Sequence, residues 1–237
     1  MPAIKVKRKK KKKGRPILIL IIILALVIAG FYIYYMISRV RNSEIFNAES
    51  IDYLILCEQE ESISNFYFVR TKKDKVLAVE IPIFASLHGN DTLAKGDVGK
   101  ALQTIDEWLG INAEYEYYFS LDEKTLKVLS STLGSEAEDM NAMLDLLSER
   151  GLKFFDYWKL GDFEGILREN NNNAKISSAA IAAFLDRATN LKRESYKLKG
   201  MTNRPIEIFV STSSEPVEKI YIDTDSLNDL RKQLEEW

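Results

Sequence analysis

Three carboxylates, Glu58, Glu60 and Glu61, follow directly on the apolar run Ile51–Cys57. Carboxylate oxygens are the ligands that hard divalent cations select, and strand ends are where α/β proteins place their ligands. With Asp91 or Asp97 nearby, Glu60 and Glu61 could hold a metal; a solvated acidic loop is the plainer reading. His88 is the only histidine, which excludes a multi-histidine zinc site, and in its Gly/Asn/Asp loop it reads as a surface residue rather than as the base of a Ser-His-Asp triad. Gly96-Asp-Val-Gly-Lys100 lacks the full Gly-x4-Gly-Lys-Ser/Thr spacing of a phosphate loop and Ala101 follows the lysine, so helix entry explains it better. Asp223-x-Asp225-x-x-x-Asp229 has neither the central glycine nor the terminal glutamate of a calcium loop and reads as a cap. Cys57 is the single cysteine, set in an apolar strand, where a small buried hydrophobe is the expectation. Tyr115, Tyr117, Tyr118 and Phe119 alternate faces, one facing the core and the other either core or an apolar or sugar-binding surface.

These groups depend on elements set by a divided charge pattern. The 237 residues carry a net charge of −2. Residues 1–41 hold eleven basic side chains and no acidic one, leaving 22 basic and all 35 acidic residues, a net of −13, on residues 42–237. A body so acidic repels phosphates and argues against nucleic acid as a partner. Pro16–Ile37 is an uncharged run of 22 residues. As a helix it would extend roughly 33 Å, enough to cross the hydrocarbon core of a bilayer. It continues past Ala29-Gly30 into Phe31, Tyr32, Tyr34 and Tyr35, so it reads as a retained signal-anchor with an interfacial aromatic belt. Nine basic residues precede it and two follow. The polybasic tail, residues 1–15, is therefore expected in the cytoplasm, against anionic headgroups. The expected organisation is a span over 16–37, a juxtamembrane linker over 38–49 and one extracytoplasmic domain over 50–237, in the cell membrane with a single pass.

In the body, Ile51–Cys57 predicts a central strand, and Ile63–Thr71 forms a hairpin with Val76–Ile83 across a Lys-Lys-Asp-Lys turn. Asp97 caps a helix that Gly110 ends, Glu114–Ser120 is a strand, and Asp122 and Gly134 bracket the next helix. Helices are expected near 136–150 and 160–168, and from Ser177 or Ser178 to Thr189. Strands are expected at 196–200, 206–210 and 218–222, with Asp223 or Asp225 capping a last helix to Trp237. This interleaving indicates an α/β (α+β) sandwich, a central mixed sheet flanked by helices.

The order of segments resembles the LytR–CpsA–Psr family, membrane-anchored enzymes that attach glycopolymers to bacterial cell walls. Tyr53-Leu-Ile-Leu-Cys57 is similar to its first core strand. Asn65–Ile81 with Pro82 resembles its strand–turn–strand into an Ile-Pro corner, and Ala101–Ile111 resembles its helix ending in Leu-Gly-Ile. Tyr117–Gly134, Lys175–Thr189, Tyr196–Gly200 and Tyr221–Leu234 continue the likeness over most of residues 50–236. The resemblance implies a hydrophobic cavity between sheet and helices, Mg²⁺ and a polyprenyl-pyrophosphate ligand. The family's arginines and aspartates are absent here: Ser62 and Ser64 stand before the second strand and Ile83-Phe84 after Pro82. Ser135-Glu-Ala-Glu-Asp139 replaces an arginine-rich stretch. Pyrophosphate transfer needs cations around the charge. The expectation is thus a degenerate, non-catalytic envelope protein without a cofactor, binding a partner protein, an isoprenoid lipid or a glycan. The alternative is an active Mg²⁺-dependent phosphotransferase in cell-wall assembly, with Arg70, Lys95 or Lys100 replacing the lost arginines and Glu60, Glu61 and Asp91 as metal candidates.

Overall fold

The computed structural model describes residues 15–58, 64–87, 92–93, 97–169, 173–189, 192–209 and 216–237. The chain divides at Arg39 into an N-terminal unit and a body from Val40 to Trp237. The first helix, α1 (Arg15–Arg41), is 27 residues long. Leu18–Arg41 is long and apolar enough to cross a membrane, and its apolar side chains, such as Leu20 and Phe31, are exposed. The helix runs four residues past the C-terminal end of the uncharged segment. Part of the expected linker is therefore helical, and a further turn, α2 (Glu44–Asn47), follows, capped by the Ser43 hydroxyl.

The body is built on a five-stranded mixed sheet in the order β5-β1-β2-β3-β6. Its strands are β1 (Ser50–Glu58), β2 (Asn65–Lys72), β3 (Lys75–Pro82), β5 (Tyr115–Asp122) and β6 (Lys192–Lys197). β1–β2 and β2–β3 pair antiparallel, and β1–β5 and β3–β6 parallel. β1 is buried at every position but the last, as expected of a continuous apolar run at the centre of a covered sheet. A small second sheet joins β4 (Ala85–Ser86), β8 (Val217–Tyr221) and β7 (Ile206–Ile208).

Helices cover both faces. On one, α3 (Val98–Leu109) and α8 (Thr224–Glu235) lie over Leu54, Leu56, Phe66, Phe68, Leu77 and Val79. On the other stand α4 (Glu123–Leu133), α5 (Met140–Arg150), α6 (Asp156–Glu169) and α7 (Ser178–Thr189). The expected caps are in place: Asp97 accepts from the Lys100 N–H, Asp122 from Thr125 and Asp223 from Asp225, while Gly110 and Gly134 end their helices left-handed. Gly99 belongs to packing rather than to a phosphate loop, since a Cβ there would lie 2.8 Å from the Tyr118 ring.

Three elements differ from expectation: α5 begins at Met140 rather than near residue 136, capped by the Asp139 side chain. α6 begins at Asp156 rather than near residue 160, because Arg150 and the Lys153 N–H converge on the Asp156 carboxylate and anchor the first turn. Gly161 and Gly165 dilute the helical signal in the sequence. The late strand runs from Lys192 to Lys197 rather than 196–200. It is an edge strand of polar composition, and charges on an edge hide its strand character while protecting it from other chains.

Candidate functional site

Alternation along the strands sends Tyr53 and Ile55 of β1, and Phe119 and Leu121 of β5, toward the α4–α7 layer. With Leu129, Met143, Phe163, Ile181 and their neighbours they enclose a slot of about 60 Å³ walled by apolar groups. That volume admits a handful of methyl-sized groups. Its one polar wall residue, Tyr53, donates its hydroxyl to the Ala180 carbonyl at 2.9 Å, so the wall offers an apolar surface. Met140 and Met143 form part of the wall, and methionine is the side chain that most readily repacks around a guest.

The same sheet face becomes polar toward β6. The register sets Ile55 beside Tyr67, Tyr67 beside Glu80, and Glu80 beside Lys197. Tyr67, Ala78, Glu80, Asn141, Ser195 and Lys197 line a pocket of about 140 Å³. Glu80 and Lys197 also border a cleft of about 710 Å³ with Asn65, Lys199, Gly200 and Asn203. Lys197 Nζ donates to Glu80 Oε1 at 2.6 Å, and the Asn65 amide donates to the same oxygen. The first turn of α5 joins the two regions: Met140 and Met143 wall the slot while Asn141 donates to the Tyr67 hydroxyl at 3.4 Å. Burial, with Glu80 adding, raises the Tyr67 phenol above its ordinary pKa, so it remains a neutral hydrogen-bonding group. Cys57 is pushed up to about 12 by burial, with Asp139 adding, which leaves an unreactive thiol as expected. The apolar slot, the Tyr67 pocket and the polar cleft are thus three separate cavities that follow one another along one sheet face. That gradient suits an amphiphile.

The residues singled out in the sequence fall elsewhere. Arg70 pairs in register with Asp52 and so faces the α3 side, opposite the slot. It is buried, bound to Asp52 Oδ2 at 3.2 Å and to the Asn112 carbonyl at 3.2 Å, and its charge is committed inside the protein rather than offered to a phosphate. Lys100 is exposed in the first turn of α3, also on that layer. Lys95, Glu60, Glu61, Asp91, His88 and Ser62 lie outside the described residues. Among the described residues no cluster of three or more acidic, histidine or cysteine side chains could hold a metal ion. Glu80, Lys197, Lys199, Asn65 and Asn141 escaped the sequence reading. For Glu80 and Lys197 the signal was the register of β6, which the misplaced strand boundary concealed.

Behind Arg70 lies a buried acidic group. Asp52 is fully buried and Asp106 nearly so, each with one carboxylate oxygen lacking a partner, and Glu116 is the β5 neighbour of Asp52. Burial, only partly offset by Arg70, raises Asp52 to about 7. Burial and then the Asp52 charge raise Asp106 to about 8. At the corner after Pro82, Phe84 adopts a left-handed φ of 60°, held by bonds from its N–H to Leu93 and from the Ile220 N–H to its carbonyl. Such strain in a bulky residue persists only where both sides are pinned.

Among solved structures, the chain is similar to TagV of B. subtilis at 13% identity and a TM-score of 0.49, covering 80% of this chain and 97% of that one. It is likewise similar to the LytR-CPS2A-psr family protein YwtF (TagT), a structure with bound octaprenyl pyrophosphate lipid, at 15% identity and a TM-score of 0.45 over 79% and 90% of the two chains. TagU of B. subtilis matches at 11% identity and a TM-score of 0.44 over 79% and 96%. No protein-family model and no curated protein matches the chain.

Proposed function

We propose that this chain is a membrane-anchored, non-catalytic binding protein of the cell envelope whose body takes up the tail of an isoprenoid lipid in the apolar slot and its polar head at the Glu80–Lys197 cleft. The observation that supports this reading is the succession of an apolar slot and a polar cleft along one sheet face, from Tyr53 and Phe119 past Tyr67 and Asn141 to Lys197. An apolar chain gains affinity from burial in such a wall, while the head requires hydrogen-bonding groups at its end. The segment order of the sequence favours an isoprenoid over other amphiphiles. The slot as it stands is collapsed to about 60 Å³. Entry of a tail therefore requires the α4–α6 layer to give way around Met140 and Met143.

The electrostatics favour binding over transfer. At the cleft Glu80 neutralises Lys197, leaving Lys199 as the nearby cation among the residues lining it. Arg70, the strongest replacement candidate, is paired with Asp52 on the opposite face. Transfer of a pyrophosphate-linked group would demand several cations at the developing charge. The body is expected on the extracytoplasmic side of a single span, by the excess of basic residues before it.

The test is equilibrium binding of a fluorescent polyprenyl pyrophosphate to the full chain in detergent, with and without Mg²⁺, followed by product analysis with a pyrophosphate-linked glycan donor. The expected result is saturable binding that is indifferent to Mg²⁺, with no product. Mg²⁺-dependent turnover would establish the phosphotransferase instead. Binding of the free glycan but not of the lipid would assign a glycan partner.

A further inference from the structure

We infer that the exposed ring cluster Phe154, Phe155 and Trp158 is a second membrane contact, which lays the body against the headgroup–acyl boundary of the bilayer beside the point where the chain leaves it. The inference rests on the anchored reading above. The three rings are in mutual contact, with centroids 5.3–6.1 Å apart, and are 50%, 72% and 37% exposed. Three adjoining rings exposed to this degree form a contiguous apolar patch, the kind of surface that marks a contact site.

The occupant follows from the position of the cluster in the fold. Tyr157, in the midst of this run, is buried, and its hydroxyl accepts a hydrogen bond from Arg41 Nε at 2.9 Å. Arg41 is the last residue of the apolar helix that is long enough to cross a membrane, and it belongs to the body. The segment that carries the cluster is therefore tied through Tyr157 to the last residue of that helix, whatever angle the span adopts. The surface chemistry agrees. Asp156, the one acid in the run, is turned inward, where both of its oxygens bind Arg150 at 2.7 Å. Burial would raise its pKa, but the Arg150 and Lys153 hydrogen bonds outweigh burial and hold it below the ordinary carboxylate range. What remains outward is Lys153 and three aromatic rings. Aromatic rings with a flanking lysine are the composition of an interfacial contact, the rings in the acyl boundary and the amine at the phosphates. Because the body is acidic overall, the contact is made by the rings rather than by attraction to anionic lipid, and zwitterionic lipid suffices.

In the full chain carrying Cys57→Ala, a single thiol at Phe155→Cys is labelled with an environment-sensitive dye and reconstituted in phosphatidylcholine vesicles with or without bromine-labelled acyl chains. Asp229→Cys, on α8 across the sheet, is the comparison site. The expected result is several-fold stronger quenching by bromolipid at 155 than at 229, lost when Phe154→Ser and Trp158→Ser are added. If the chain withstands alkaline extraction but both dyes are quenched equally weakly, the ring contact is refuted and the span stands. Release of the chain by alkaline extraction refutes the span, and the inference with it. Concentration-dependent self-quenching between chains at 155 without bromolipid quenching assigns the rings to a second copy and overturns the proposal.

Discussion

Raising the pH should destabilise this protein through a cluster remote from the slot. Asp52, Asp106 and Glu116 share one neutralising cation, Arg70, and Asp52 and Asp106 each retain an unpartnered buried oxygen. Ionising both Asp52 and Asp106 beside one guanidinium in the core is costly, so the folded protein keeps a proton that the unfolded chain releases near the ordinary aspartate value of about 3.9. With Asp52 raised to about 7 and Asp106 to about 8, the native state binds more protons than the unfolded state throughout that interval. Stability therefore falls as pH rises from about 4 to about 8, the opposite sign to a salt-bridged carboxylate. Asp106 rises partly because Asp52 is charged beside it, so one retained proton relieves both. At about 1.4 kcal/mol per unit, holding one proton through roughly three units is worth about 4 kcal/mol. Urea denaturation of the chain in detergent micelles, followed by tryptophan fluorescence between about pH 4.5 and 8.5, measures this loss. Asp106→Asn removes the competing charge while leaving the Asp52–Arg70 pair, and should raise stability near pH 8.5 by about 2 kcal/mol while flattening the slope. A wild-type stability that is flat or rises over this range would refute the reasoning.

Three further outcomes follow from packing and hydrogen bonding. Arg187, buried on α7, donates to the carbonyls of Ala48, Phe46 and Thr71 and so fastens α2 to the sheet; Arg187→Met should cost about 3 kcal/mol and open the segment around residues 42–48 to protease, read by limited proteolysis. Gly99→Ala drives a methyl group to 2.8 Å from the Tyr118 ring and should cost about 1–2 kcal/mol in denaturation, recovered by Tyr118→Leu in the same chain. Gly151→Ala adds a Cβ 2.2 Å from the Thr189 side chain at a φ of +60°; it should cost more than Gly99→Ala, because the left-handed backbone is strained for alanine as well.

How much of this was legible in the sequence depended on how local each signal was. Asp97 with Gly110, and Asp122 with Gly134, act on their own helix ends, and β1 is announced by its unbroken apolar run. The candidate site was less legible because it depends on which face each strand residue takes. Arg70 is one residue out of phase with Tyr67 and Val69, and that parity alone sends it to Asp52 instead of the slot. Lys197 joins the cleft only through its parallel pairing with Glu80, more than a hundred residues away, in an edge strand whose charges conceal it. The slot itself is assembled from two strands and four helices, so no single segment carries its signature.

Photocrosslinking tests the central claim most directly. A polyprenyl pyrophosphate with a photoreactive group near the tail terminus, bound to the full chain and irradiated, should label peptides containing Met143, Phe163 or Phe184, which wall the slot. The label should be competed by unlabelled lipid and lost in Leu129→Trp, which fills the slot. Labelling confined to α1, or unaffected by competitor and by Leu129→Trp, would contradict the account.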